Sequence, residues 1–94
     1  MRALTMCLKF GLYAELQTPR DKPHAELYRE VMRQMEHADQ VGFDCYSIIE
    51  HHFFQEFSTS ANPLAMICAV AQRTERIRFR VALPFLYLNL YILV

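Results

Sequence analysis

Glu50, His51 and His52 form the densest cluster of titratable side chains in the sequence, directly after two branched aliphatics in the stretch SIIEHHFFQEF, Ser47 to Phe57. An imidazole takes up and releases a proton near neutral pH, so the cluster suits general acid–base work. Two histidines and a carboxylate are also the ligand set of several iron and zinc centres. The spacing argues against a metal, because neighbouring residues on an extended backbone point to opposite sides and His51 and His52 do not converge on one ion. A plainer reading also stands: histidines at a strand exit can cap backbone groups or lie in solvent. His24 and His37 are expected to be ordinary surface residues. Cys45 is a poor nucleophile candidate, since nothing beside it in the sequence would stabilise a thiolate. With Gly11 and Gly42 its only glycines, the chain has no glycine loop to cradle a phosphate.

The elements that must position the cluster are legible around it. From Cys7 to Tyr13, CLKFGLY alternates with Leu8, Phe10 and Leu12 on one side, which predicts a strand. The proline-bearing stretch AELQTPRDKPHAEL follows as a loop, long enough to suggest a functional one. From about His24 to Val41, Leu27, Val31, Met35, Ala38 and Val41 recur at helical spacing, with Glu26, Arg29, Glu30, Arg33, Glu36 and Asp39 around the other face. Gly42 suits a left-handed helix stop. FDCYSII, residues 43–49, reads as a second strand that delivers Glu50 at its end. QEFSTSA is a polar loop. Asn62 and Pro63 cap and open a second helix whose expected buried stripe is Leu64, Ile67, Cys68 and Ala71. RTER closes it, and IRFRVAL, residues 77–83, is the third strand.

Strands separated by amphipathic helices cannot pair as hairpins and form a parallel sheet through crossovers. In parallel α/β folds reactive groups gather at the carboxyl ends of strands, where the loops converge. Glu50, His51 and His52 stand at such an end, so position and composition point the same way.

Composition excludes other classes. The 94 residues carry ten basic and ten acidic side chains, a formal charge of zero, and give no electrostatic footprint for nucleic acid or an anionic membrane. The odd set Cys7, Cys45 and Cys68, among apolar neighbours, fits reduced buried thiols in a cytoplasmic protein better than a disulfide framework. No signal peptide is apparent. The uncharged stretch from Val81 to Val94 is shorter than the ~20 residues that span a bilayer, and a strand running into buried structure is expected there.

LKFGLY, VGFDCYSIIEHHF and NPLAMICAVAQRTERIR together resemble the N-terminal third of the luciferase-like flavin monooxygenases, over about Met6 to Arg78. The resemblance implies a (β/α)₈ barrel of which this chain holds about three parallel strands and two helices. It also implies reduced FMN, or a deazaflavin, and an oxidoreductase acting on paired donors with incorporation of molecular oxygen, with a small organic substrate. On it, His51 and His52 are the catalytic pair at the barrel mouth, His51 taking the acid–base role toward the oxygenated flavin. Glu50 lines the flavin pocket, and Ala82 with Leu83 aligns to a bulge against the ring. Arg80 replaces a family glycine, and a charge in a strand buried on both faces needs a partner. A barrel takes about 250 residues, so residues 1–94 read as a truncated N-terminal part. It is expected to bind flavin weakly and to be inactive alone, with the inner faces of its strands exposed and an oligomer open to it through that apolar surface. The alternative is a non-enzymatic α/β module that pairs with another chain through its exposed strand edge.

Overall fold

In the computed structural model of the chain, residues 7–18, 21–53 and 57–82 are described. Strand and helix alternate along them: β1 (Gly11–Ala14), α1 (His24–Val41), β2 (Cys45–Ile49), α2 (Pro63–Ala71) and β3 (Arg78–Ala82). The strands pair in parallel in the order β1-β2-β3. Because side chains alternate across a strand, one sheet face carries Leu12, Ala14, Tyr46, Ile48 and Phe79. These pack on Leu27, Val31, Met35 and Ala38 of α1 and on Met66 and Val70 of α2. On the opposite face the register sets Gly11, Cys45 and Arg78 in one row and Tyr13, Ser47 and Arg80 in the next. Arg80 is therefore exposed on the face that no helix of the described residues covers, and the charge expected to be interior lies in water.

Helix α1 has the bounds its periodicity predicts, with two differences in what it buries. Val41 is 57% exposed. The helix ends there: Gly42 takes φ 95, its N–H donates to the Asp39 carbonyl, and the Phe43 N–H donates to the Ala38 carbonyl at 3.0 Å. That is the left-handed stop for which glycine is suited. Asp39, assigned by spacing to the polar face, is buried instead. Its carboxylate accepts the backbone N–H groups of Glu75, Arg76 and Ile77 at 2.9, 3.0 and 2.8 Å. Charge-assisted bonds of this kind are short and strong, and here they fasten the end of α1 to the residues that lead into β3.

Asp44 performs the matching task one strand earlier. Its N–H donates to the Phe10 carbonyl at 2.8 Å, its carboxylate accepts the Phe10 N–H at 2.9 Å, and its carbonyl accepts the Arg78 N–H at 3.0 Å. The strand predicted from Cys7 consequently begins at Gly11, the first residue with a ladder partner, and Leu8 and Phe10 are 70% and 63% exposed. In α2, Asn62 accepts the Ala65 N–H as expected of a cap. The buried row, however, is Pro63, Met66 and Val70 with Ile67 half-buried, whereas Leu64, Cys68 and Ala71 are exposed. Every residue of PLAMICAVA is apolar, so no polar face fixed the phase of the helix. All three cysteines are free, as expected, but Cys7 and Cys68 are exposed and only Cys45 is half-buried. Among the described residues no helix is long and apolar enough to cross a membrane. Leu83, and the strand continuation expected to Val94, lie outside the described residues.

The three N–H bonds hold the Asp39 carboxyl below the usual carboxylate range, the Glu75 N–H contributing most. A carboxyl depressed in the folded state contributes stability that is present above its unfolded value of about 4 and is lost as pH falls through the folded one. Asp39→Ala should therefore lower the melting temperature at pH 7 by roughly 5 °C or more. Between pH 4 and pH 2 the wild type should lose more of its melting temperature than Asp39→Asn, whose side chain does not titrate. Thermal unfolding followed by circular dichroism reads both, and equal melting temperatures at pH 7 would remove Asp39 from the account.

Candidate functional site at the carboxyl end of the sheet

The carboxyl ends of β2 and β3 meet where the Glu50 N–H donates to the Ala82 carbonyl at 3.2 Å. Two of the residues singled out in the sequence are thus brought together by backbone. Glu50 is buried, and its carboxylate oxygen Oε1 lies 3.0 Å from Nε2 of His52, itself nearly buried. Residues i and i+2 share a side of an extended chain, which is why the carboxylate meets the second imidazole. A carboxylate so placed fixes the ring orientation of His52.

His51 goes the other way. Its ring packs edge-on against Phe57, centroids 4.7 Å apart at 65°. It lines a cleft of about 360 Å³ together with His24, Phe53, Ser58, Thr59 and Ala61. The two imidazoles face different neighbours, and among the described residues no three histidine, cysteine, aspartate or glutamate side chains group as ligands for an ion. Glu50 does not line the cleft that His51 lines. Phe53 takes φ 62, a left-handed backbone that an aromatic residue adopts at a cost, and is 89% exposed. Strained residues of this type cluster at functional sites. Its ring stands at the cleft, 6.0 Å from that of His52.

The segment Ser58, Thr59 and Ser60, read from sequence as a polar loop, is buried. The Leu16 N–H donates to the Ser58 hydroxyl at 3.2 Å, the Thr59 N–H donates to the Leu16 carbonyl at 2.9 Å, and the Tyr28 hydroxyl donates to the Thr59 carbonyl at 2.7 Å. The Ser60 carbonyl accepts the His51 N–H at 2.8 Å. These bonds make a strap across the exits of β1 and β2. Leu16, placed in the loop after β1 by its prolines, is a core residue because the strap holds it. His24, expected to be an uninvolved surface residue, opens α1 and lines the cleft. The available signal was the run of three small hydroxylated residues beside Phe57, too compact and too free of charge for a solvated loop.

Parallel strands with helices on one face and polar groups collected at the strand carboxyl ends resemble part of a barrel of the (β/α)₈ type. The luciferase-like monooxygenase family matches residues 6–89, and the chain belongs to that family. Among solved structures, it is similar to the oxygenating constituent of 3,6-diketocamphane monooxygenase from the CAM plasmid of Pseudomonas putida, a type II Baeyer–Villiger monooxygenase in complex with FMN. The TM-score is 0.72 at 27% identity, over 81% of this chain and 21% of that one. It is also similar to the monooxygenase RslO1 from Streptomyces bottropensis, with a TM-score of 0.71 at 30% identity over 80% of this chain and 23% of that one. The chain thus spans about a fifth of the length of these structures. No curated protein sequence matches it significantly.

Ser58→Ala removes the acceptor of the buried Leu16 N–H and should destabilise the fold by about 1–3 kcal/mol in denaturant unfolding. Because the strap carries the carbonyl that holds the His51 N–H, the ring-proton signals of His51 should shift as well, while those of the exposed His37 stay in place. Unchanged His51 signals would show that the strap does not set the position of that ring.

Proposed function

We propose that the chain forms the first strand–helix units of a flavin-dependent monooxygenase domain, residues 1–94 being its N-terminal part. The proposed reaction acts on paired donors and incorporates molecular oxygen into a small organic substrate. The observation that carries this reading is His51 at the carboxyl end of β2, lining a cleft beside an exposed aromatic ring. Family membership and an FMN-bound neighbour support the cofactor. Reduced FMN is the form proposed, a deazaflavin being the other candidate. The free cysteines are compatible with the cytoplasm as its compartment.

The residues present fit one half of such a cofactor. Phe53 and His51, the latter backed by Phe57, offer aromatic surface to a planar ring, in a cleft at the small end of the size range of ligand sites. Among the described residues no lysine or arginine lines that cleft, and the chain has no glycine loop to wrap a phosphate. When bound, a flavin would supply the redox chemistry. The chain's own contribution is proton handling and placement: His51 gives or takes a proton at its imidazole, and His52, oriented by Glu50, serves beside it. Ala82, whose carbonyl accepts the Glu50 N–H, sets the level of the ring-side wall, and the same place is proposed for Leu83.

With a ring surface and no phosphate grip, the chain should bind FMN and riboflavin weakly and alike, with dissociation constants above about 100 μM and within about threefold of each other. Flavin fluorescence titration measures both, and submicromolar binding of FMN would mean that the phosphate site lies within these residues. The acid–base role is tested in a chimaera carrying this chain in place of the matching segment of the Streptomyces bottropensis monooxygenase. There His51→Ala should lower turnover by about 10²–10⁴ with flavin affinity retained. A loss under tenfold would count against His51.

A further inference from the structure

His24 has no part in the acid–base pair, although it lines the cleft with His51. It is the first residue of α1 and is exposed. Two sets of bonds place it there. The Pro23 carbonyl accepts the Glu26 and Leu27 N–H groups at 3.1 and 3.2 Å, which starts the helix. One turn on, Tyr28 shares a side of the helix with His24, since residues four apart lie on one face, and its hydroxyl donates to the Thr59 carbonyl at 2.7 Å. The next carbonyl along the strap, that of Ser60, accepts the His51 N–H at 2.8 Å. One short segment therefore holds both imidazoles, His24 through α1 and His51 directly, around a single cleft of about 360 Å³.

The two imidazoles differ in their access to solvent. The His51 ring packs against Phe57 and its Nε2 is shut off from solvent, so protons reach this ring from the cleft side. The rest of the lining offers little that could carry them. Phe53 and Ala61 are apolar. The Ser58 hydroxyl oxygen accepts the Leu16 and Ser60 N–H groups at 3.2 and 3.3 Å, and the Thr59 hydroxyl donates to the Leu16 carbonyl at 3.4 Å. Charged groups close by are engaged elsewhere, Glu50 with His52 and Lys22 with Glu30, and none of these lines the cleft. Nor do Asp21 and Glu26, which flank His24 along the chain. Among the described residues His24 is thus the one other lining group that takes up and releases a proton near neutral pH.

We infer that His24 is a proton relay between solvent and His51. A proton passes from the His24 imidazolium, across water in the cleft, to the neutral His51 imidazole. His24 is left neutral and is recharged by solvent or buffer, and the reverse sequence carries a proton out. Each transfer breaks one N–H bond and makes another, and the total charge of the pair changes only at the exchange between His24 and solvent. Transfer through a bridging water is an ordinary route between such groups, and a cleft with polar groups in its lining can hold one. The relay rests on the acid–base role proposed for His51, through which alone His24 acts.

The first test needs no cofactor. In the 94-residue chain carrying isotope-labelled histidine, held in dilute buffer midway through the His51 titration, NMR relaxation dispersion reads the rate at which that ring exchanges its proton with solvent. His24→Ala should slow this exchange about tenfold, and free imidazole, a mobile substitute for the lost ring, should restore it. His24→Gln keeps a polar side chain that does not titrate, and it should behave as His24→Ala does. Circular dichroism verifies the fold, and unchanged His51 signals at the two ends of the titration verify the position of the ring. An unchanged rate in either variant would overturn the relay. So would slow exchange that imidazole fails to restore, which marks a purely structural effect. The second test uses the chimaera, where His24→Ala should lower turnover about tenfold in dilute buffer and imidazole should recover it. Full turnover in that variant, beside a large loss in His51→Ala, would overturn the relay and leave the acid–base role of His51 standing. A loss under tenfold in His51→Ala would end that role and the relay with it.

Discussion

The position of β3 depends on one buried carboxylate. Asp39 gathers three consecutive N–H groups, those of Glu75, Arg76 and Ile77, and thereby sets where the chain re-enters the sheet after α2. A slip of one residue would turn Arg78 and Arg80 toward the core and Phe79 away from it, since strand side chains alternate with a period of two. It would also move Ala82 away from Glu50, whose N–H finds the Ala82 carbonyl at the far end of the same register. An anchor at the amino end of the sheet thus decides which atoms meet at the carboxyl end. Asp44 repeats the arrangement between β1 and β3, so the sheet is registered by two acidic side chains where the strands begin.

The division between His51 and His52 follows from that framework. Once Glu50 is held at the level of Ala82, strand alternation sends His52 back to the Glu50 carboxylate and His51 outward to Phe57 and the cleft. The serine–threonine strap then takes the His51 N–H, so the first imidazole is fixed by backbone while the second is fixed by a carboxylate. Holding two neighbouring rings by different means gives each its own surroundings.

Much of this was legible in the residues. The span of α1, its glycine stop, the parallel strands and the position of Glu50, His51 and His52 at a strand end all follow from periodicity and turn chemistry, and the structure has each of them. What was not legible has a physical cause in each case. Asp39 looks like a surface residue because helical spacing describes the helix alone, and the three N–H groups that bury it arrive from residues 36 to 38 positions later. The phase of α2 could not be read from a segment that is apolar all round. Ser58, Thr59 and Ser60 have the composition of a loop, and their burial depends on Leu16, itself hidden in a stretch that its prolines mark as irregular. Local pattern reports local structure, whereas these three features are made by contacts distant along the chain.

The central strand explains how so short a chain can hold the beginnings of a site. β2 has neighbours on both sides, and from Tyr46 to Ile49 every residue is buried, including Ser47 and Ile49 on the face without helices. Among the described residues the flanking strands lack that second neighbour, and Gly11, Tyr13, Arg78 and Arg80 are exposed on the same face. Glu50, His51 and His52 hang from β2, so their anchoring uses the best-buried segment of the sheet and draws on β3 and the strap. The rim of the cleft, by contrast, is formed by an exposed phenylalanine, and no lysine or arginine among the described residues lines it. Glu50, His51 and His52 are therefore held by the central strand with β3 and the strap, while cationic side chains of the described residues gather elsewhere, on the sheet face around Arg78 and Arg80.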